Sequence, residues 1–514
     1  YYVPREELIE KAYTQLLGED PDIGGHYITV WAPRQTGKTW VMGQTLYRLK
    51  RKTEFDTVKI NLQDFKGLST NEVFREIAKE LEWALGRSLP STNDSRAFTY
   101  LFSEEVLDKP LILILDEFDI FEPETIDAIA NVFRNIYIAR NEQADKHTTE
   151  KRYLLHGVAL IGVRSVLGVE NVKGSPFNVQ RSVKIPNLTY AEVKSMFDWY
   201  TRETGQVVAQ EALDQLYYEM SGQPGLTSWM GELLTETYND NPNTPITARS
   251  FEIAYAAATK VLPNNNILNI ISKANDPEYR PTVLEFFRTQ APVPFTYDDR
   301  HLNYLYTNGV IDQQKVNETE YRVKFANPFV QKRLFNFFAR DLFGNLGVLH
   351  DPFLDLDDTI TDDSLNVTKL SRHYEAYVQL YRDNLFRNVP RRATDERVYE
   401  AIYHFSFYRY LTDFLYSYES RVLPEFPTGN GKVDLLIEHG GRIYPIEVKS
   451  FANRREYRKA QTQAAEYAQQ LKLDHIALVF FVEKIDEKQR QELEVNHIDA
   501  ETGVTVEVVF IATG

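Results

Sequence analysis

Three residues near the end of the sequence have the types and spacing of a hydrolytic site. They are Asp434, Glu447 and Lys449, in the stretch KVDLLIEHGGRIYPIEVKS from Lys432 to Ser450. Gly440-Gly441 stands between two apolar runs, and a Gly-Gly pair accepts the positive φ angles of a two-residue hairpin turn. With those glycines as the loop, His439 pairs with Arg442, and counting back sets Asp434 opposite Glu447. Side chains alternate faces along a strand. Val433, Leu435, Ile437, Tyr444, Ile446 and Val448 then make an apolar face, and Asp434, Glu447 and Lys449 share the other. Like charges directly opposite on a sheet are destabilising. A divalent cation resolves the conflict, because Mg²⁺ (or Mn²⁺) takes one or two carboxylates and keeps its waters. Lys449, two residues on along the same face, could then position a water or steady a pentavalent phosphate. The bland alternative is a solvated strand face with an incidental Glu447–Lys449 pair.

A second constellation sits near the start. In YITVWAPRQTGKTW a β-rich run enters Ala32-Pro33-Arg34-Gln35-Thr36-Gly37-Lys38-Thr39, and a helical pattern follows. This is the phosphate-loop pattern with Ala in place of its first Gly. Gly37 lets the backbone approach phosphates, and the N-terminus of the next helix offers free N–H groups. Lys38 reaches the β- and γ-phosphates, and Thr39 ligates Mg²⁺. The run Leu111–Leu115 reads as a buried strand ending in Asp116-Glu117. Active groups of parallel sheets sit at such carboxyl ends. Asp116 would orient the Mg²⁺ shell, and Glu117 would polarise the attacking water. The expected cofactors are ATP and Mg²⁺.

The elements that must carry these residues follow from the pattern of the chain. Its 514 residues are enough for several domains. Residues 1–190 alternate apolar β-rich runs with helical stretches, which predicts a parallel sheet flanked by helices. Residues 191–245 read as helices, broken at Gly222-Gln223-Pro224-Gly225. Residues 246–345 are helical and end in two short strands and a helix. Residues 346–394 open on the acidic HDPFLDLDDTITDDS and read as a loop and helical linker. Residues 395–514 form a further α/β unit, with a helix over about 395–418, the hairpin, a helix over about 453–472 and two more strands. The fold class expected is multidomain α/β.

Composition narrows the function. No apolar run reaches the ~20 residues of a membrane span, so no membrane partner is expected. Cysteine is absent, which excludes disulfides, Cys-ligated zinc and a thiol nucleophile. It also fits a reducing, cytoplasmic setting. The net charge of −16 excludes a uniformly basic coat, so any nucleic-acid contact uses local basic patches.

With these motifs in view, residues 1–345 resemble the AAA-like and STAND-like branch of P-loop ATPases. The residues that carry the likeness are YYVPRE, APRQTGKT, LDEFD, GVALIGVRS and SGQPGL. The resemblance implies that Arg5 borders the adenine and that Arg164 or Ser165 senses the γ-phosphate. It also implies that Gln223-Pro224-Gly225 opens a lid helix over the nucleotide. It leaves a homo-oligomer open, with no arginine finger legible. Residues 282–337 resemble a winged-helix module, whose expected recognition helix, DDRHLNYLY, is not notably basic. A packing role is therefore favoured over DNA contact.

Residues 395–514 resemble the PD-(D/E)XK nuclease superfamily. The order is a helix with Glu400, then Asp434, then Glu447-Val448-Lys449, then Gln463 and Tyr467 four apart on one helix face. The likeness implies a metal held by Asp434, Glu447 and the Val448 carbonyl. Glu400 completes the shell, with Glu396 as a rival. Glu425, in LPEFP just before the hairpin, is a further acid of the constellation. Gln463 and Tyr467 would contact a nucleic-acid strand. Arg454, Arg455, Arg458 and Lys459 would hold phosphates, as would Arg391, Arg392 and Arg397. DNA is expected before RNA as the partner, with antiviral or mobile-element defence as the implied context. The reading is an ATP-gated, Mg²⁺-dependent nuclease. Its rival is a regulatory ATPase switch whose last domain binds DNA or a protein without cleaving.

Overall fold

The protein, seen in a computed structural model, is described over residues 3–162, 182–288, 293–344, 346–350, 354, 356–386, 389, 391, 398–427, 432–451 and 453–514. The chain divides into two compact units. One comprises residues 1–279 and 292–330, the other 280–291 and 331–514.

In the first unit α1 (Glu6–Leu17) precedes β1 (Tyr27–Trp31), α2 (Lys38–Leu49), β2 (Asp56–Asn61), α3 (Thr70–Leu85) and α4 (Ser95–Tyr100). Then come β3 (Leu111–Asp116), α5 (Pro123–Asn141), β4 (Leu155–Gly162) and the short β5 (Ser182–Lys184). The five strands are all parallel, in the order β2-β3-β4-β1-β5. Strands buried on both faces read as continuous apolar runs, which is why LILIL was legible. One face packs Leu111, Leu113 and Leu115 against Phe74, Phe98 and Phe133. The other packs Ile112 and Ile114 with Val30, Val41 and Leu16. The helical part follows as α6 (Tyr190–Thr204), α7 (Gln210–Met220), α8 (Pro224–Glu232), α9 (Ala248–Lys260) and α10 (Asn265–Ala274).

The expected winged-helix stretch contains α11 (Arg280–Arg288), α12 (Arg300–Thr307), β6 (Ile311–Lys315), β7 (Tyr321–Phe325) and α13 (Pro328–Leu342). β6 and β7 form the expected antiparallel hairpin. The division between the units runs through this stretch, because α11 and most of α13 belong to the second unit. There Phe287 and Phe335 pack edge-on or tilted against Phe405.

The second unit continues with α14 (Val367–Phe386), α15 (Glu400–Phe414), β8 (Arg421–Pro427), β9 (Lys432–His439) and β10 (Arg442–Ser450). It closes with α16 (Arg454–Gln470), β11 (His475–Val482), α17 (Glu487–Leu493), β12 (His497–Ile498) and β13 (Thr505–Ala512). The sheet order is β12-β13-β11-β10-β9-β8. The β8–β9, β9–β10 and β12–β13 pairs are antiparallel, and the β10–β11 and β11–β13 pairs are parallel. The alanine face of α16 (Ala460, Ala464, Ala465, Ala468) packs on one side of the sheet, close because it carries no bulk. Two features differ from the sequence reading. LPEFP belongs to a strand, β8, which Pro424 and Pro427 disguised; proline is tolerated there because β8 is a sheet edge. And α14 is not a linker. It packs on β13 and β11, and its fully buried Tyr374 donates to Ser406 Oγ at 2.8 Å.

This placement of α14 has a measurable consequence. Tyr374→Ala should destabilise the second unit by about 3–5 kcal/mol. Leu380→Ala, on the solvent side of the same helix at 73% exposure, should change stability by under about 0.5 kcal/mol. Urea denaturation followed by circular dichroism measures both.

Candidate functional site

The phosphate-loop sequence folds as a strand–loop–helix because Gly37 and Gln35 both take positive φ, 89° and 56°. Gly37 sits at the N-cap of α2. The loop curls around its own lysine: Lys38 Nζ donates to the carbonyls of Ala32 at 2.8 Å and Pro33 at 2.9 Å. Thr36 Oγ1 donates to Pro33 O at 2.7 Å. Thr39 is exposed in the first turn of α2. Burial lowers the Lys38 ammonium, opposed by Asp119, Glu117 and Asp116, so three carboxylates face this lysine.

Asp116 is buried at the end of β3 and both its oxygens are engaged. Oδ2 lies 2.7 Å from Lys59 Nζ, and Oδ1 accepts the Glu117 N–H at 3.1 Å. Glu117 is held in the left-handed region at φ 60°. Burial first, then Asp119 and Asp116, raise its carboxyl above the ordinary range. A base raised this way accepts a proton more readily. Asp119 reaches the end of β4 because Gly162 has no Cβ there; one would lie 2.9 Å from Asp119 Oδ1. Lys59 and Asp119 were not singled out from sequence. Lys59 lies on the polar side of β2 with Thr57 and Asn61, where nothing in the sequence distinguished it, and only the pairing of β2 with β3 sets it beside Asp116.

The lid helix meets the loop directly. Gln223 caps α8 by accepting the Leu226 N–H at 2.5 Å, while its Nε2 donates to Arg34 O at 3.1 Å. Pro224 is the first residue of α8. The Gly225 N–H donates to Gln35 O at 3.0 Å, and a Cβ on Gly225 would stand 2.6 Å from the Cβ of Gln35. A cavity of about 180 Å³ opens between the loop (Pro33, Arg34, Thr36), the segment after β5 (Pro186, Asn187) and α8 (Leu226). Arg5, expected at the adenine, does not line it. Its guanidinium is spent on the wall, donating to Pro186 O at 2.8 Å and Asn187 O at 3.2 Å. Arg164 and Ser165 lie outside the described residues. Because Gly225 has no room for a methyl, Gly225→Ala should push α8 off the loop and weaken ATP binding about tenfold, a loss of about 1.4 kcal/mol. Fluorescent-nucleotide titration would read this.

The second site gathers on β9, β10 and α15. The hairpin turns at Gly440-Gly441, with His439 opposite Arg442 and the ladder continuing to Leu435 opposite Ile446. One step further the Asp434 carboxylate takes over from the ladder, and its Oδ2 accepts the Val448 N–H at 2.8 Å. The Val448 carbonyl leaves the strand on the side of that N–H. Glu447 is 2% exposed. Its Oε1 lies 2.6 Å from Lys449 Nζ, and its Oε2 is buried with no hydrogen-bond partner among the described residues. Lys449 Nζ is also 3.7 Å from Asp434 Oδ2 and 3.9 Å from Glu400 Oε1. Glu400, the first residue of α15, accepts the Ser450 N–H through Oε2 at 2.8 Å. His404, one turn later, has Nε2 2.9 Å from the Asp434 carbonyl.

Burial, then Asp434, push the Glu447 carboxyl up to about 8 against the pull of Lys449. Burial alone would lower the Lys449 ammonium, but Glu447, Asp434 and Glu400 hold it well above its usual value. On α16, Gln463 Nε2 donates to Tyr467 Oη at 2.6 Å. Burial and then Glu447 raise the Tyr467 hydroxyl. Arg454, Arg455, Arg458 and Lys459 are exposed at the start of α16. Arg454 stands 3.6 Å from Glu492. Arg391 is exposed, while Arg392, Glu396 and Arg397, and the side chain of Glu425, lie outside the described residues.

Among the described residues no three His, Asp or Glu side chains form a closed metal cluster. Glu400, expected to complete a metal shell, accepts the Ser450 N–H through Oε2 and has Oε1 3.9 Å from Lys449 Nζ. What fits a hard divalent cation is the pair Asp434 and Glu447 with the unpartnered Glu447 Oε2, since buried carboxylate oxygens otherwise find donors. A cation held there would supply charge for a phosphate and a polarised water. Around it, Lys449 holds positive charge at the carboxylates and His404 fixes the Asp434 backbone.

Glu447 retains a proton in the folded chain that the unfolded chain releases. In chelated buffer, thermal stability should therefore fall as pH rises from the ordinary carboxyl value of 4.5 through about 8. Glu447→Gln should flatten that slope in melts at about pH 5.5 and about pH 8.5.

Comparison with known proteins separates the two units. Residues 1–238 match the family described as the AAA-like domain. Over these residues the chain is similar to an AAA-like P-loop domain, which agrees with the phosphate loop as a nucleotide-binding element. Residues 367–484 match a family described as a domain of unknown function, whose span starts at the first residue of α14. No curated protein matches the chain. Similar solved structures include the Aeropyrum pernix ORC1 protein in complex with DNA, at 15% identity over 66% of this chain and 94% of that one, TM-score 0.36. A Walker-type ATPase of Pyrococcus abyssi matches at 15% identity over 65% and 95%, TM-score 0.39. The Thermotoga maritima RuvB Holliday junction branch migration motor matches at 12% identity over 63% and 92%, TM-score 0.35. Among the described residues no helix is long and apolar enough to cross a membrane.

Proposed function

We propose that the chain is an ATP-controlled nuclease, in which the AAA-like unit regulates Mg²⁺- or Mn²⁺-dependent hydrolysis of a phosphodiester by the second unit. The observation that carries this reading is the buried Glu447 carboxylate beside Asp434 and Lys449, with one oxygen left without a donor. Buried oxygens of structural ion pairs mostly find donors, since an unsatisfied one costs about 1–3 kcal/mol. A buried carboxylate kept incomplete beside a second acid and an ammonium is what metal-assisted phosphate chemistry needs. Asp434 and Glu447 hold the cation, and the Val448 carbonyl faces the same side. Lys449 stabilises charge on the phosphate. Gln463, Tyr467 and the exposed arginines of α16 give the strand a polar and basic track, and DNA is the substrate we favour. On the ATPase side, Glu117 activates water, and the Gln223–Arg34 and Gly225–Gln35 contacts carry the nucleotide state to the lid.

The test is cleavage of single- and double-stranded DNA with Mg²⁺ or Mn²⁺, with and without ATP. Glu447→Ala and Lys449→Ala should each lose about 100-fold or more in rate. Lys38→Ala should lose ATP affinity on the order of 100-fold and with it any ATP dependence of cleavage. Cleavage that survives both second-unit substitutions would remove the nuclease assignment. Salt-sensitive DNA binding with no cleavage under any condition would favour the non-catalytic switch.

A further inference from the structure

The Lys449 ammonium stands among the carboxylates that the proposed function gives to a metal. Its Nζ is 2.6 Å from Glu447 Oε1, 3.7 Å from Asp434 Oδ2 and 3.9 Å from Glu400 Oε1. Its side chain is 11% exposed, against 2% for Glu447 and 17% for Asp434. The ammonium therefore lies inside the site, not at its rim. All three acids face this one ammonium, and Glu447 Oε2 has no donor among the described residues. The ammonium sits where a divalent cation would have to enter.

We infer that Lys449 is a built-in counterion and that a divalent cation binds Asp434 and Glu447 by displacing its ammonium. This deepens the nuclease reading and rests on its metal assignment. The exchange has a direct electrostatic logic. Two cations a few ångströms apart repel strongly at the effective dielectric of a partly buried site, so the lysine weakens metal binding while it stays between the acids. Without metal, it lowers the cost of gathering three carboxylates. Glu400 is placed to receive the displaced group, since its Oε1 already faces the ammonium and its Oε2 is anchored on Ser450. The site is then held shut by its own lysine until metal arrives. Metal arriving together with phosphate oxygens, which give the ammonium a new anionic partner, has the advantage over free metal.

Three consequences distinguish this from a lysine that merely assists catalysis. Isothermal titration of nucleotide-free full-length protein with Mn²⁺ should show Lys449→Met binding at least about tenfold more tightly than wild type. Without cation, Lys449→Met should melt below wild type, and Mn²⁺ should raise its melting temperature by more than it raises that of wild type. Adding Glu447→Gln to Lys449→Met should remove both gains, which separates this site from any metal at the phosphate loop. Lys449→Gln, uncharged but able to donate to Glu447, should shift affinity in the same direction and covers the case in which the methionine variant does not fold. Equal or weaker Mn²⁺ binding in the charge-neutral variants would overturn the exchange. The outcome is separable from that of the nuclease reading. Tighter Mn²⁺ binding with no cleavage by wild type would keep the exchange and remove the hydrolase. Cleavage by wild type with no gain in affinity would do the reverse.

Discussion

Burying an ionised carboxylate costs several kcal/mol unless charge and hydrogen bonds repay it, and both sites of this protein are arranged around that constraint. At the end of β3, Asp116 is buried but complete, with Lys59 on one oxygen and a backbone N–H on the other. At the hairpin, Glu447 is buried and incomplete, with Lys449 on one oxygen and nothing on the second among the described residues. In each cluster a lysine lies against a buried acid and offsets part of that cost. The neighbouring backbone is recruited to the same end. Ser450 donates to Glu400 and Val448 donates to Asp434, so sheet positions that would have extended the ladder serve the acids.

The phosphate loop solves the converse problem, a cation without phosphates. Lys38 turns back onto the Ala32 and Pro33 carbonyls, which hold it until phosphate competes for it. The same loop carries the lid, because the carbonyls of Arg34 and Gln35 accept from Gln223 and Gly225. Under the proposed function, a ligand that reshapes the loop would act on the start of α8 through these two hydrogen bonds and one glycine contact.

Much of this was legible in the residues. β-rich runs bounded by turn signals located four strands of the five-stranded parallel sheet, and the hairpin of the second unit; β1, β3 and β4 read as continuous apolar runs because they are buried on both faces. Gly440-Gly441 set the register of the hairpin from His439–Arg442 to Leu435–Ile446 through turn geometry alone. β5 was missed because it is three residues long, and β8 because its prolines argue against a strand until its place at an edge is known. α14 reads as an ordinary amphipathic helix, and amphipathicity says that a face is buried without saying against what.

The sequence by itself determined which chemistry was available: a phosphate loop, an acid-ended strand, and two acids with a lysine on one hairpin face. These depend on local rules, namely strand alternation, turn conformation and the approach that glycine permits. Tertiary structure decided who partners whom. That Lys59 answers Asp116, that His404 holds the Asp434 carbonyl and that Glu400 faces Lys449 are all contacts between distant segments. Distances across a fold depend on how whole elements pack. The same packing leaves one Glu447 oxygen without a donor among the described residues, a detail that no local rule of strand or turn encodes.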